Sequence, residues 1–276
     1  MKAKTCFILS LISLSLYLFY GIYFNHHFLL PITRLEQKLS HPVYFTLSEA
    51  ELHPSPKPPC HAIPVVHGGN SRGGAHPLDS REGVLEAIED KIPRMEVDLT
   101  IFRDEIILEH NSVHLPMGSS VEDFKKQGHY PMTLDEFFKV YVPRAEMIVF
   151  DFKEVLTDVP NALSLLKKHA FDPTKHLFVG LNCDWIKILQ KEFHMPAGCE
   201  YQGVIVNWLL GFDIWSADWG VITSLQLKLN QILNLKKLFF TFPEPEDVAN
   251  TCGILNPDVA LLEYFYGKTY RASGAK

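Results

Sequence analysis

The chain is predicted to be an α/β protein, a (β/α)8 TIM barrel in one domain preceded by an N-terminal transmembrane helix, and three observations point there. From residue 61 onward, short apolar runs alternate with longer amphipathic stretches. Strands separated by helices pair in parallel, because each return crossing needs a helix. About eight strand candidates in roughly 215 residues suit such a barrel near the lower end of its size range. Hydrophobic residues make up 47% of the 276, and no composition shift divides the main body, so one large core is expected. An open doubly wound sheet is the fallback topology. No G-x-G-x-x-G or P-loop signature supports that fallback as a nucleotide binder.

The elements follow in order. Ile63–Val66 reads as the first strand, then a glycine-rich loop and a helix over 81–90. Strands over 94–99 and 106–109 come next, followed by a loop and a helix over 133–140. Met147–Phe152 is a strongly apolar strand, with a helix over 161–169 behind it. A strand over 177–180 pairs with a helix over 184–193. The remaining strand candidates are 203–207, 213–217, 238–242 and 259–263.

Residues 1–28 read as a cytoplasmic stub and a signal anchor. Lys2 and Lys4 precede an uncharged stretch over 6–24, about the length a helix needs to cross a bilayer. A cleaved signal peptide would have a shorter apolar run and small residues at the cut, whereas this run ends in Tyr20, Gly21, Ile22, Tyr23 and Phe24. The lysines before the run place the N-terminus in the cytoplasm and the main domain on the other side. Residues 29–60 form a stalk punctuated by Pro31, Pro42, Pro54, Pro56, Pro58 and Pro59, and residues 61–276 form the barrel. Outside the cytoplasm Cys60, Cys183, Cys199 and Cys252 suffice for two disulfides; buried free thiols are the other reading, and no pair has metal-ligand spacing. A net charge of −6 without clustered Lys or Arg argues against a nucleic-acid partner.

The chemistry-bearing residues sit at strand ends. Glu96 and Asp98 are two apart on a strand, so both side chains point the same way. Two buried like charges require a positive partner, and a hard divalent cation such as Mg²⁺ or Ca²⁺ prefers oxygen ligands. Asp151 ends the Met147–Phe152 strand and could complete a three-carboxylate metal site, with Lys153 placed to meet an anionic oxygen of a substrate. His67 ends the first strand before Gly68 and Gly69, and His110 follows an Ile-Ile-Leu-Glu run in the same manner. Imidazoles titrate near neutral pH, so one ring can accept a proton while the other donates one. The other histidines, among them His61, His76, His114 and His129, lack this company. A glycosidase acid pair is disfavoured, because its carboxyl groups face each other across the substrate, while Glu96 and Asp98 share one strand face.

The order His67-Gly-Gly, Glu96-x-Asp98, His110, Asp151-x-Lys153 resembles the glycerophosphodiester phosphodiesterase family and its wider phospholipase C-like superfamily. The resemblance spans most of residues 63–153, including a first helix around Leu85 to Ile88; beyond Lys153 it rests on strand–helix rhythm alone. Several positions depart from the family pattern, among them Phe240-Thr-Phe-Pro243 where it often has a Trp-Thr strand. Gly68 stands where it has Arg, Asn111 where it has Asp, Glu82-Gly83-Val84 where it has Glu-Asn-Thr, and Asp151 where it has Glu. Phe150-Asp-Phe-Lys153 and Asn70 also resemble the related sphingomyelinase D branch. The resemblance implies a phosphodiester hydrolase with one divalent cation, Mg²⁺ or Ca²⁺, held by Glu96, Asp98 and Asp151. His67 and His110 would be the catalytic acid and base, and Lys153 would bind the phosphate. Glycerophosphodiesters or lysophospholipids are the expected substrates. The alternatives are a phospholipase D-like enzyme forming cyclic phosphates, or an inactive membrane-anchored barrel used for binding.

Overall fold

The structure is a computed structural model and describes residues 61–69, 76–102, 104–110, 120–126, 131–153, 158–243 and 245–263. The anchor and stalk expected over 1–60 lie outside the described residues, as do Asn70 and Asn111. Among the described residues no helix is long and apolar enough to cross a membrane.

Nine strands form one sheet: β1 Ile63–Val66, β2 Arg94–Ile101, β3 Ile106–Leu108, β4 Met147–Phe152, β5 His176–Gly180, β6 Ala197–Cys199, β7 Ile214–Asp218, β8 Lys236–Phe242 and β9 Val259–Leu262. Eight of them run parallel in the order β6-β5-β4-β2-β1-β9-β8-β7, and β3 folds back antiparallel on β2. The two ends of that order meet at β6 and β7, where Asp213 N donates to Ala197 O at 3.0 Å. Gly198 makes the seam possible, since a Cβ there would stand 2.6 Å from Ile214 O. The eight parallel strands thus curl into the expected TIM barrel.

The helices lie between the strands: α1 Arg81–Glu89, α2 Val121–Lys126, α3 Leu134–Val140, α4 Val159–Leu166, α5 Cys183–Phe193, α6 Val204–Leu209, α7 Ser224–Leu233 and α8 Pro245–Leu255. Ser80, Thr133, Asp158, Asn182 and Thr223 each accept a backbone N–H from the first turn, the local reason these helices start where they do. Alternate strand residues separate two apolar layers. Leu99, Phe150 and Phe178 pack outward against α3 and α5, in one core with Phe137 and Ile186. Val65, Val149, Leu177, Val179, Ile214, Leu238, Val259 and Leu261 fill the barrel itself.

One sequence expectation is overturned. Residues 203–207 were expected as a strand from their β-branched run, but Val204–Leu209 is helix α6, and the strand is the short Ala197–Cys199 before it. The Asn207 side chain accepts from Cys199 N at 2.9 Å and donates to Cys199 O at 3.1 Å, docking the helix on the strand's end. Tertiary contact here outweighs intrinsic β preference. Helix α2 and the antiparallel pairing of β3 were also not foreseen. Cys183 and Cys199 form a disulfide joining the start of α5 to the end of β6. Cys252 is disulfide-bonded as well.

Candidate active site

Parallel register brings the predicted residues to one end of the barrel. Val66 pairs with Met95, and Asp98 pairs with Asp151, so β1, β2 and β4 deliver His67, Glu96, Asp98 and Asp151 to adjacent rungs of the inner face. This is the C-terminal end of the parallel strands, where barrels of this type carry their functional groups. His110 arrives by another route. Glu109 N donates to the Asp98 carbonyl at 3.1 Å, and Thr100 Oγ1 donates to the Glu109 carbonyl at 3.1 Å. The antiparallel return of β3 therefore sets His110 over Asp98, with Nε2 3.7 Å from Asp98 Oδ2. His67 Nε2 lies 3.8 Å from Glu96 Oε2. The two imidazoles meet edge to face, with centroids 6.4 Å apart.

Lys153 reaches back over the acids. Its Nζ is 3.1 Å from Asp98 Oδ1, pairs closely with Asp151 Oδ2, and stands 3.9 Å from Glu200 Oε2. Burial opposes the lysine's charge, but Asp151, Glu200, Asp98 and Glu96 outweigh it and push its pKa up. Five carboxyl groups are almost wholly buried here: Asp79, Glu96, Asp98, Asp151 and Glu200. Burial, reinforced by mutual repulsion, pushes Asp79, Glu96 and Glu200 well above the usual carboxylate range. Asp151 rises to about 6, for burial outweighs the opposing charge of Lys153. For His67, burial disfavours the charged ring, yet its hydrogen bond to Glu263 and the charges of Asp98 and Asp79 leave the pKa raised.

This donor set suits a hard cation. Asp98 Oδ2 and Asp151 Oδ1 are buried with no hydrogen bond among the described residues, while Asp98 Oδ1 and Glu200 Oε2 have the Lys153 ammonium near them but no well-aligned hydrogen bond. Orphaned anionic oxygens of this kind are costly unless a cation or a proton neutralises them. His67, Glu96 and Asp98 each place one ligand atom within 4.8 Å of the others. Asp151, the third ligand expected from the sequence, stands beside Asp98 on the adjacent strand, and the Lys153 ammonium is paired with both.

The departure at Gly68 has a physical reason. Gly68 is buried at φ 53°, and a Cβ there would stand 2.9 Å from Leu78 Cβ, so an arginine does not fit this turn. Its N–H donates to Glu96 Oε2 at 3.2 Å. Glu82 is exposed on α1; the buried acid near that helix is Asp79, which accepts from the Asp98 N–H at 2.9 Å. Sequence reasoning missed Asp79, Glu200 and Glu263. Glu263 carried a readable signal, since it ends a predicted strand as His67 and Asp151 do. Glu200 follows a strand too short to recognise, and Asp79 sits in a loop.

No family model matches the chain, and no curated protein matches it in sequence. Solved structures do match in shape. A glycerophosphodiester phosphodiesterase from Parabacteroides distasonis aligns with a TM-score of 0.60 and 14% identity over 74% of this chain and 94% of its own. One from Thermotoga maritima gives 0.57 and 13%, over 73% and 94%. An Oleispira antarctica phosphodiesterase, solved with its product sn-glycerol-3-phosphate, gives 0.61 and 14%, over 77% and 96%. At these identities the likeness establishes that the chain has the barrel of those proteins, with nearly their full length represented in it.

Proposed function

We propose that this chain is a metal-dependent phosphodiester hydrolase of the glycerophosphodiester phosphodiesterase type, acting on glycerophosphodiesters or lysophospholipids. The observation that carries the reading is the flanking of one acidic pair, Glu96 and Asp98, by two imidazoles and the Lys153 ammonium at the barrel mouth. The shared barrel of proteins named as glycerophosphodiester phosphodiesterases, one of them holding sn-glycerol-3-phosphate, supports the substrate class.

Glu96, Asp98 and Asp151 would hold the divalent cation, Mg²⁺ or Ca²⁺, which when bound neutralises charge on the phosphoryl oxygens. Lys153, already counterbalanced by Asp98 on β2, Asp151 on β4 and Glu200 just after β6, orients an anionic oxygen of the phosphodiester. His67 lies beside Glu96 and His110 beside Asp98. One takes the proton from the attacking hydroxyl or water, and the other returns a proton to the departing alkoxide. The barrel would stand outside the cytoplasm, tethered through residues 6–24; the Cys183–Cys199 disulfide supports an oxidising compartment.

The test is a panel of glycerophosphodiesters, lysophospholipids and sphingomyelin, assayed with and without EDTA and with product analysis. Metal-dependent release of a phosphomonoester is expected; no turnover on any member would overturn the reading, and a cyclic phosphate product would replace hydrolysis with intramolecular transfer. His67→Ala and His110→Ala should each lower kcat by about 10²–10⁴-fold. Calorimetric cation affinity separates the ligand sets: Asp151→Asn should weaken binding and His67→Ala should not.

A further inference from the structure

We infer that Glu263 is a positioning residue for His67, fixing which ring nitrogen carries the proton and which is presented to the site; the inference rests on the phosphodiesterase reading only for its activity arm. The pairing is built by the sheet. β1 and β9 run parallel in the register Val66 with Leu262, so the next residue of each strand, His67 and Glu263, stand side by side at the mouth although 196 positions apart. Glu263 N donates to the Phe242 carbonyl at 2.8 Å, which holds its backbone to β8. Its Oε2 lies 3.2 Å from His67 Nδ1.

The direction of that bond follows from charge. A glutamate carboxylate carries no proton to donate near neutral pH and can only accept, and Glu263 is partly exposed rather than sealed from water. Nδ1 must then carry the hydrogen. In a neutral ring Nε2 is left with its lone pair, and Nε2 is the nitrogen that faces Glu96 and the acidic pair. Without Glu263 the ring could take either tautomer, and the protonation of the Nε2 that faces the site would no longer be fixed. The carboxylate thus pre-selects the working form of His67 and fixes the ring plane, as an outer carboxylate does for a histidine at many metal and catalytic centres.

The test uses the full chain with ¹⁵N-labelled histidine, the His67 signals being assigned by their loss in His67→Asn. Long-range ¹H–¹⁵N correlations should show His67 in its neutral form with the proton on Nδ1, and Glu263→Ala should convert it to a mixture or to the Nε2–H form. In turnover, Glu263→Ala should lower kcat about 10–100-fold with KM changed less than about threefold. Glu263→Gln, whose amide oxygen can still accept the Nδ1 proton, should recover most of that loss. A His67 carrying Nε2–H in the unaltered chain, or an unchanged tautomer in Glu263→Ala, overturns the assignment, as does a Glu263→Ala kcat within twofold of the unaltered chain. A chain with no phosphodiesterase activity would overturn the functional reading alone, since the tautomer is read without turnover.

Discussion

The inside of this barrel has two storeys built from the same strands, and they obey opposite rules. The lower storey is mainly apolar: Val65, Val149, Leu238 and Val259 share one buried cluster, with the buried Ser216 in register beside Leu238. The upper storey, one or two residues further along β1, β2 and β4, holds His67, Glu96, Asp98 and Asp151. Below, burial of apolar area stabilises the chain. Above, burial of like charge costs stability unless a cation is supplied. One storey therefore serves the fold and the other carries the chemistry, and the two meet on β4, where Val149, level with Glu96, lies beneath Asp151.

The largest expected effect separates the two storeys. Asp98→Asn should lower kcat/KM by about 10³-fold or more, through loss of a central anionic ligand. In EDTA the same variant should melt at a higher temperature than the unaltered chain, because one buried like charge is gone. A lower melting temperature there would mean that Asp98 supports the fold, and the contrast would fail. In the lower storey the expected pattern reverses. Leu238→Ala should cost about 2–5 kcal/mol in denaturant unfolding, with kcat altered less than about threefold. A large fall in kcat at unchanged stability would show that the storeys are coupled.

The Cys183–Cys199 link borders the upper storey beside Glu200, and it closes a loop with a sequence separation of 16. Cys183→Ser with Cys199→Ser should destabilise the chain by about 3 kcal/mol, measured by urea unfolding under oxidising conditions. The smallest effect sharpens the comparison by pH. Asp151, raised from 3.8 to about 6, keeps a proton in the folded chain that the unfolded chain releases as pH passes between those values. In EDTA, stability should thus fall as pH rises through that window, and Asp79, Glu96 and Glu200, also raised, act in the same direction. A saturating divalent cation should flatten or invert the slope. A metal-free chain that gained stability over this range would show that the carboxyls are not held as the structure places them.

The first half of the barrel was more legible than the second, for a physical reason. Long parallel strands buried on both faces, such as Met147–Phe152, leave a dense apolar signature that ends sharply at a charge. That is why Asp151 and Lys153 stood out. β6 has only Ala-Gly-Cys, because the seam against Ile214 admits nothing larger than glycine at its centre. Such a strand has almost no hydrophobic pattern, so nothing marks Glu200 as a strand-end residue, and the strand candidate falls instead on the β-branched run of α6.

From the sequence alone came the barrel class, the strand-end placement of His67, Glu96, Asp98, His110 and Asp151, and the chemistry those residue types allow. These depend on alternation and spacing within single strands, which are local properties. The tertiary structure decided which distant groups meet. It set Glu263 against His67, Glu200 near Lys153 and Asp79 under Asp98, and it placed the Lys153 ammonium between Asp98 and Asp151. Those contacts arise from register between strands and from loop return, and no local pattern encodes them.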